Sequence, residues 1–377
     1  GDVYKRQHLN GPGGDMPAIV YSAANDRVDV ICAQGPAPAK ATIEHYRSEN
    51  IDLIPGDGLL STVIPGAFDG WMLMLRDYGT MTVREVLEPA IHYAEEGHPV
   101  LARVSATIEG LGEFFEKEWP TSHETWLPGG SAPAPESNFR NPVLAETWRR
   151  IVAEAEAAGS REKGIEAARN AFYRGFVAEA IQSYLDTAEV MDATGARHKG
   201  VLSAEDMAGW QATVEEPLTY DYHGWQVAKT GPWGQGPVML QSLALLKGYD
   251  LAAMDPLGPD FVHTVVEAMK LAYADREVYY GDPDFADVPL GALLSDGYND
   301  ARRKLIGAEA SMELRPGVVP AFEAQRKLAL SVVGGLEKGA VYEPTMSHLT
   351  EKRGDTVHID VVDRWGNMVS TLSLIHI

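Results

Sequence analysis

Residues 355–371 read Asp355-Thr356-Val357-His358-Ile359-Asp360-Val361-Val362-Asp363-Arg364-Trp365-Gly366-Asn367-Met368-Val369-Ser370-Thr371. From Thr356 to Val362 apolar and polar side chains alternate, the period of a strand with one buried face. Asp363–Gly366 has the composition of a turn and Asn367–Thr371 returns, so the stretch predicts a β-hairpin whose first residue is Thr356. Residues 313–354, just before it, mix Pro, Gly and charge with little periodicity and predict an exposed, mobile linker. A threonine placed first on a strand, behind a segment that can be cut and move away, suits one chemistry. Its hydroxyl is a poor nucleophile at neutral pH. Cleavage of the preceding bond frees an α-amino group, with a pKa of about 8, as a general base beside it. A buried strand threonine produces the same local pattern, so the hairpin alone leaves both readings open.

The remaining sequence bounds the answer. The chain has 377 residues, 45% hydrophobic and 23% charged, enough for a large core in one big domain or two ordinary ones. No apolar run reaches the length of a membrane span. The net charge of −22 argues against a nucleic-acid partner, whose phosphates need a basic surface, and against an anionic membrane surface. The single cysteine, Cys32, lies in the apolar run Val28–Cys32 and reads as core. There is no Gly-x-Ser-x-Gly elbow, no His-Glu-x-x-His and no cysteine cluster, so neither a serine hydrolase nor a metal site nor a cofactor is expected. His92 and His98 flank Glu95 and Glu96, but their spacing does not share a helical face, and they read as solvated. Gly11-Pro12-Gly13-Gly14 could cradle an anion, a weak signal in isolation. Glu267, Asp275 and Asp282 read as surface or salt-bridged carboxylates.

Element signals follow in order. Ala18–Ser22 and Val28–Cys32 predict strands joined at Asn25-Asp26-Arg27. Thr82-x-x-Glu85 is a capping box opening a helix over Val83–Glu96, stopped by Gly97. Further helices are expected over about 142–157, 161–186, 235–248 and 258–279, with a short one after Ser203. Leu127–Pro135 reads as a surface loop. Thr213–Tyr220 and Trp225–Lys229 predict paired strands around Tyr222-His223-Gly224.

Several longer stretches carry a resemblance. His263-Thr-Val-Val-Glu267-Ala-Met-Lys270-Leu-Ala-Tyr-Ala-Asp275-Arg276 and Gly281-Asp282-Pro283-Asp284-Phe285 resemble a signature of the gamma-glutamyltransferase family. So do Val63-Ile-Pro65-Gly66-Ala-Phe-Asp-Gly70-Trp71, Tyr78-Gly79-Thr80, Leu87-Glu-Pro89-Ala90-Ile91, Asn141-Pro142 and Ala171-Phe172-Tyr173-Arg174-Gly175. Thr356-Val-His358, Val361-Val362-Asp363 and Gly366-Asn367 resemble the opening of that family's small subunit. The resemblance implies an α+β fold, the αββα four-layer sandwich of N-terminal-nucleophile hydrolases, incomplete in this chain. It implies self-cleavage at Asp355–Thr356, with Thr356 as nucleophile and, through its freed amino group, general base. The expected substrate is a γ-glutamyl amide such as glutathione, or another amide, with water or an amine as acceptor and the chain's own small subunit as partner.

On this reading residues 8–355 are the large-subunit region and 356–371 the start of the small subunit. Residues 1–7 and 372–377 resemble translated adapter sequence and are expected to be non-native ends. The compartment stays open between cytoplasmic and periplasmic or secreted. The family's small subunit continues well beyond this chain, so the fragment is expected to be inactive, and a two-stranded hairpin without partner strands would be marginal in water. One departure concerns the donor. Where the family has Arg-Glu-x-Ala-Pro, with its carboxylate-binding arginine, this sequence has Gln34-Gly35-Pro36-Ala37-Pro38. A neutral Gln34 cannot form the bidentate charged pair of a guanidinium; Lys40 is the nearest candidate to replace it. This keeps alive a related acylase acting on a non-glutamyl amide, alongside an inactive relative. Another departure is Thr230-Gly231-Pro232-Trp233-Gly234-Gln235-Gly236, where the family is usually Pro- and Ser-rich.

Overall fold

A computed structural model describes residues 11–335 and 357–373. Along the chain lie β1 (Met16–Ser22), β2 (Arg27–Ala33), α1 (Ile43–Ser48), α2 (Ala67–Asp77), α3 (Val83–Glu96), β3 (His98–Pro99), α4 (Ala102–Glu118) and α5 (Pro120–Trp126). Next come β4 (Asn138–Phe139), α6 (Pro142–Ala157), α7 (Arg161–Tyr173), α8 (Phe176–Leu185), β5 (Val190–Met191), β6 (Arg197–His198), α9 (Ala204–Gly209) and β7 (Thr213–Glu215). The rest are β8 (Leu218–Tyr222), β9 (Trp225–Lys229), α10 (Gly236–Leu246), α11 (Pro259–Tyr279), α12 (Leu290–Leu293), α13 (Asp296–Arg303), α14 (Glu323–Gly335), β10 (Val357–Val362) and β11 (Met368–Ser373). Two compact units result, one from residues 11–18, 31–214 and 357–373, the other from 19–30 and 215–335. None of the described helices is long and apolar enough to cross a membrane.

The principal sheet has the order β10-β11-β1-β2-β7. β10 and β11 pair antiparallel with Ile359 opposite Thr371, the hairpin expected from the alternation. It is not the isolated pair anticipated above: β11 neighbours β1, and the Thr371 hydroxyl donates to the Pro17 carbonyl at 3.2 Å. Of the hairpin's two strands, only β10 lies at an edge of this sheet among the described residues, the other edge being β7.

In the first unit, α2, α3, α6 and α7 close around Phe68, which stacks on Phe172 at 4.6 Å and Trp148 at 5.7 Å between ring centroids. The capping box of α3 is formed, with Thr82 accepting from the Glu85 N–H and Glu85 accepting from the Thr82 N–H. The Leu75 carbonyl in the last turn of α2, with those of Gly79 and Met81 just beyond it, finds a donor in the Arg161 guanidinium. α4 and α5 carry their own small core, with Phe115 stacked on Trp119 at 5.8 Å. In the second unit, α10 and α11 pack together and the β8–β9 hairpin lies against α10.

Three expectations need correction. The helix over 161–186 is two helices, broken at Arg174-Gly175, where Arg174 turns aside to donate to the Ala208 carbonyl. The strand over 213–220 is interrupted at Glu216-Pro217: Pro217 has no N–H for a ladder, so β7 stays in the principal sheet while β8 pairs with β9. The expected linker contains α14, which Gln325 ties to the Val278 carbonyl at 3.0 Å while Phe322 and Ala329 rest on the core beneath. Apart from Phe322 and Leu330 the partly buried residues of that contact face are small or polar, so no apolar period announces it. Residues 336–354 lie outside the described residues.

Candidate active site

Two positions of interest fall on one end of the principal sheet. Ile359, Thr371 and Pro17 form a row across β10, β11 and β1. The row continues to β2, because a Cβ built on Gly70 would lie 2.4 Å from Ala33 Cβ and 2.7 Å from Met16 Cε, so these two side chains meet over α2. Gln34 leaves the sheet directly after Ala33, and Val357 opens β10 two residues before Ile359. Both therefore stand within two residues of one cross-strand row. Three strand spacings separate them, about 14 Å. Asp355 and Thr356 themselves lie outside the described residues.

The Gln34 loop is held from below. Gly35 is packed so closely that a Cβ there would stand 1.8 Å from the Ile64 carbonyl oxygen, and the Ile64 N–H donates to the Pro36 carbonyl at 3.1 Å. The Gly11–Gly14 turn, a weak anion cradle in the sequence, has a structural task instead: the Gly14 carbonyl accepts from the N–H groups of Gly66 and Ala67, each at 2.9 Å, and so takes up orphan donors at the start of α2. Gln34 is exposed. Lys40, also exposed, sits six residues on, in a turn fixed by the Ala39 N–H donating to Asp206 Oδ1 at 2.9 Å. Burial works against a charge on Asp206. Hydrogen bonds from Ser203 and Ala39, with the Lys40 charge, outweigh it and hold the carboxyl below the ordinary range. Lys40 is thus engaged electrostatically with α9.

Sequence reasoning missed the polar cluster beneath this floor. Arg169 on α7 makes a two-pronged pair with Asp69 on α2, Nε to Oδ1 at 2.6 Å and Nη2 to Oδ2 at 2.9 Å, both side chains buried. Asp69 Oδ2 also accepts from the Ala212 N–H at 2.7 Å, and Arg169 Nη1 donates to Glu166 at 2.8 Å. The Tyr173 hydroxyl donates to the Pro65 carbonyl at 2.6 Å and accepts from the Asp69 N–H at 3.1 Å. The hydrogen bonds to Asp69 raise the Arg169 pKa, and burial raises that of Tyr173, so the cation and the neutral phenol are both fixed. The available signal was a charge inside each apolar face: Asp69 next to Phe68, and Arg169 next to Ala168.

The other sequence candidates are structural. Glu267 is buried against Arg315 at 2.8 Å and Lys270 at 2.5 Å, and accepts from the Ser311 N–H. Asp275 is buried against Arg302 at 3.3 Å and accepts from Gln241, Tyr298 and the Gly317 N–H. Together they strap residues 311–317 onto α11. Asp282 is exposed. His92 lies on α3, whereas His98 lies on β3 against Phe139.

Known proteins share this fold. The structure of LmbA2991T421A superposes with a TM-score of 0.83 at 46% identity, covering 97% of this chain and 60% of that one. A cephalosporin acylase from Bacillus halodurans gives 0.75 at 28% identity, over 97% of this chain and 57% of that one. The fold is α+β and of the N-terminal-nucleophile hydrolase class. A glutathione hydrolase proenzyme of Bacillus subtilis (strain 168) is 29% identical over 368 residues, 96% of this chain and 56% of its own length. The family profile described as Gamma-glutamyltranspeptidase matches residues 4–376, and the chain belongs to that family. It spans little more than half the length of these relatives.

Proposed function

We propose that the complete protein is a self-cleaving amidohydrolase or acyltransferase, cut between Asp355 and Thr356, with Thr356 as its nucleophile and a γ-glutamyl amide such as glutathione as donor. Thr356 Oγ bonds to the donor carbonyl carbon while its proton passes to the freed α-amino group. The tetrahedral intermediate then collapses, the C–N bond breaks, and the amine leaves with that proton. Water or an amine acceptor opens the resulting ester. The small subunit stays with the large one as its partner. The observation that supports this reading is the row across the sheet: the described strand begins at Val357, one residue after Thr356, with Gln34 three strands away. An extended γ-glutamyl group reaches roughly 6 Å from reacting carbonyl to α-carboxylate, which leaves a side-chain length at each end of a 14 Å separation of roughly that size.

The test is direct. Intact mass and N-terminal sequencing of the purified complete protein should find a new chain beginning at Thr356. Thr356→Ala should remain a single uncut chain, and Thr356→Ser should cleave slowly. An uncut wild-type protein, or a new N-terminus elsewhere, overturns the proposal. Gln34 favours a second reading, an acylase for an amide without an α-carboxylate, consistent with the likeness to the Bacillus halodurans cephalosporin acylase. A neutral amide contact suits an uncharged acyl group better than a carboxylate.

A further inference from the structure

Asp15 stands beside Gln34, at the end of the principal sheet where β10 begins. β1 and β2 are seven residues each and are joined by residues 23–26, so the hairpin sets Met16 opposite Ala33, and their side chains meet over α2 at Gly70. One residue further, Asp15 falls opposite Gln34, about 5 Å away between α-carbons. Side chains alternate along a strand, so both take the face of the sheet away from α2. Gln34 is exposed and Asp15 half-buried. One segment pins both backbones. The Gly14 carbonyl, in the peptide that leads into Asp15, accepts from the Gly66 and Ala67 N–H groups. A Cβ on Gly66 would stand 2.2 Å from the Ala33 carbonyl oxygen, in the peptide that leads into Gln34. Residues 64–67 thus hold Asp15 and Gln34 side by side.

We propose that Asp15 is a specificity-determining residue, which makes the acyl end of the site select an aliphatic acyl group that ends in an amine, as its ammonium, and reject one that ends in a carboxylate. The inference rests on Thr356 as nucleophile and deepens the second reading above. Asp15 brings a negative charge to this end, Gln34 brings none to offset it, and Lys40 is engaged with Asp206. An ammonium placed there gains a charge-assisted hydrogen bond, whereas a carboxylate meets a like charge. The reach also fits. β1 lies two strand spacings from β10, about 10 Å. An extended five-carbon acyl chain covers roughly 6 Å of that, and the threonine and aspartate side chains cover the rest.

The complete protein is given the p-nitroanilides of 5-aminopentanoic, pentanoic and glutaric acid, whose acyl chains end in an ammonium, a methyl and a carboxylate. For the wild type kcat/KM should fall in that order, by about tenfold or more from first to last. Asp15→Asn should shrink the aminopentanoyl-to-glutaryl ratio by about tenfold or more, and Asp15→Glu should keep the wild-type order. Each ratio is taken within one preparation, so a loss of folded or self-cleaved protein cancels, and the wild-type order needs no variant at all. A wild type that prefers the glutaryl anilide, or a ratio unchanged in Asp15→Asn, overturns the inference. Turnover of none of the three by a protein cut at Thr356 overturns it while leaving the proposed function standing. A protein that neither cuts there nor turns over any of them removes both.

Discussion

Gln34 stands where the resemblance read from the sequence implies a carboxylate-binding arginine. Exchanging a bidentate charged pair for a neutral amide contact costs about 1.5–3 kcal/mol of donor binding. Gln34→Arg in the complete enzyme is therefore expected to raise kcat/KM on glutathione by about 10- to 150-fold and to leave simple acyl amides unimproved. Efficient wild-type turnover of glutathione with no gain from the arginine would mean that another cation serves, and would remove the acylase reading. Lys40 is a poor substitute, because its turn is held to α9 through Asp206. Asp206 also gives a pH prediction. Its folded pKa is depressed, so its stabilisation is present above the unfolded value of about 3.9 and is lost as pH falls through the folded one. Melting temperatures of the complete protein should drop over that acid window. Asp206→Asn should drop less steeply there, and an unchanged profile would contradict the assignment.

The elements read from sequence most faithfully were those with a local cause. The box at Thr82 and Glu85 starts α3 where expected, Gly97 ends it, and Asn141-Pro142 opens α6 with the Asn141 side chain accepting from the Leu144 N–H at 3.0 Å. The site's floor has no such local cause. Asp69 and Arg169 are a hundred residues apart and meet only when α2 and α7 pack. Removing one partner of a buried pair strands the other, which costs about 3–5 kcal/mol, whereas replacing both by apolar groups can be nearly neutral. Arg169→Met is accordingly expected to destabilise the complete protein by about 3–5 kcal/mol in urea unfolding. Adding Asp69→Leu to that variant should recover part of the loss. A single-variant effect below about 1 kcal/mol would show that the pair is dispensable.

For the whole molecule, the open surfaces set the behaviour of the 377-residue chain. β10 is an edge strand, and Val361, Val362, Trp365 and Met368 at the hairpin are exposed. Exposed edges and apolar patches recruit other chains. Residues 8–371 expressed alone are expected to self-associate in light scattering and not to turn over a γ-glutamyl anilide; a monomer with a sharp melt and turnover would contradict this. The amino-acid sequence sufficed for the hairpin after Thr356, the strand pair near the start, the helices α3, α6, α9, α10 and α11 and the family, because alternation, caps, turn residues and long motifs act over a few neighbours. It did not reveal α4, the break at Gly175, the transfer of β7 to the principal sheet or helix α14. Nor did it reveal that Gln34 and Val357 reach one end of that sheet, or that Glu267 and Asp275 serve the strap across α11. Those features come from pairing and burial between residues tens to hundreds of positions apart, which leave no period in the chain and exist only once strands and helices have packed.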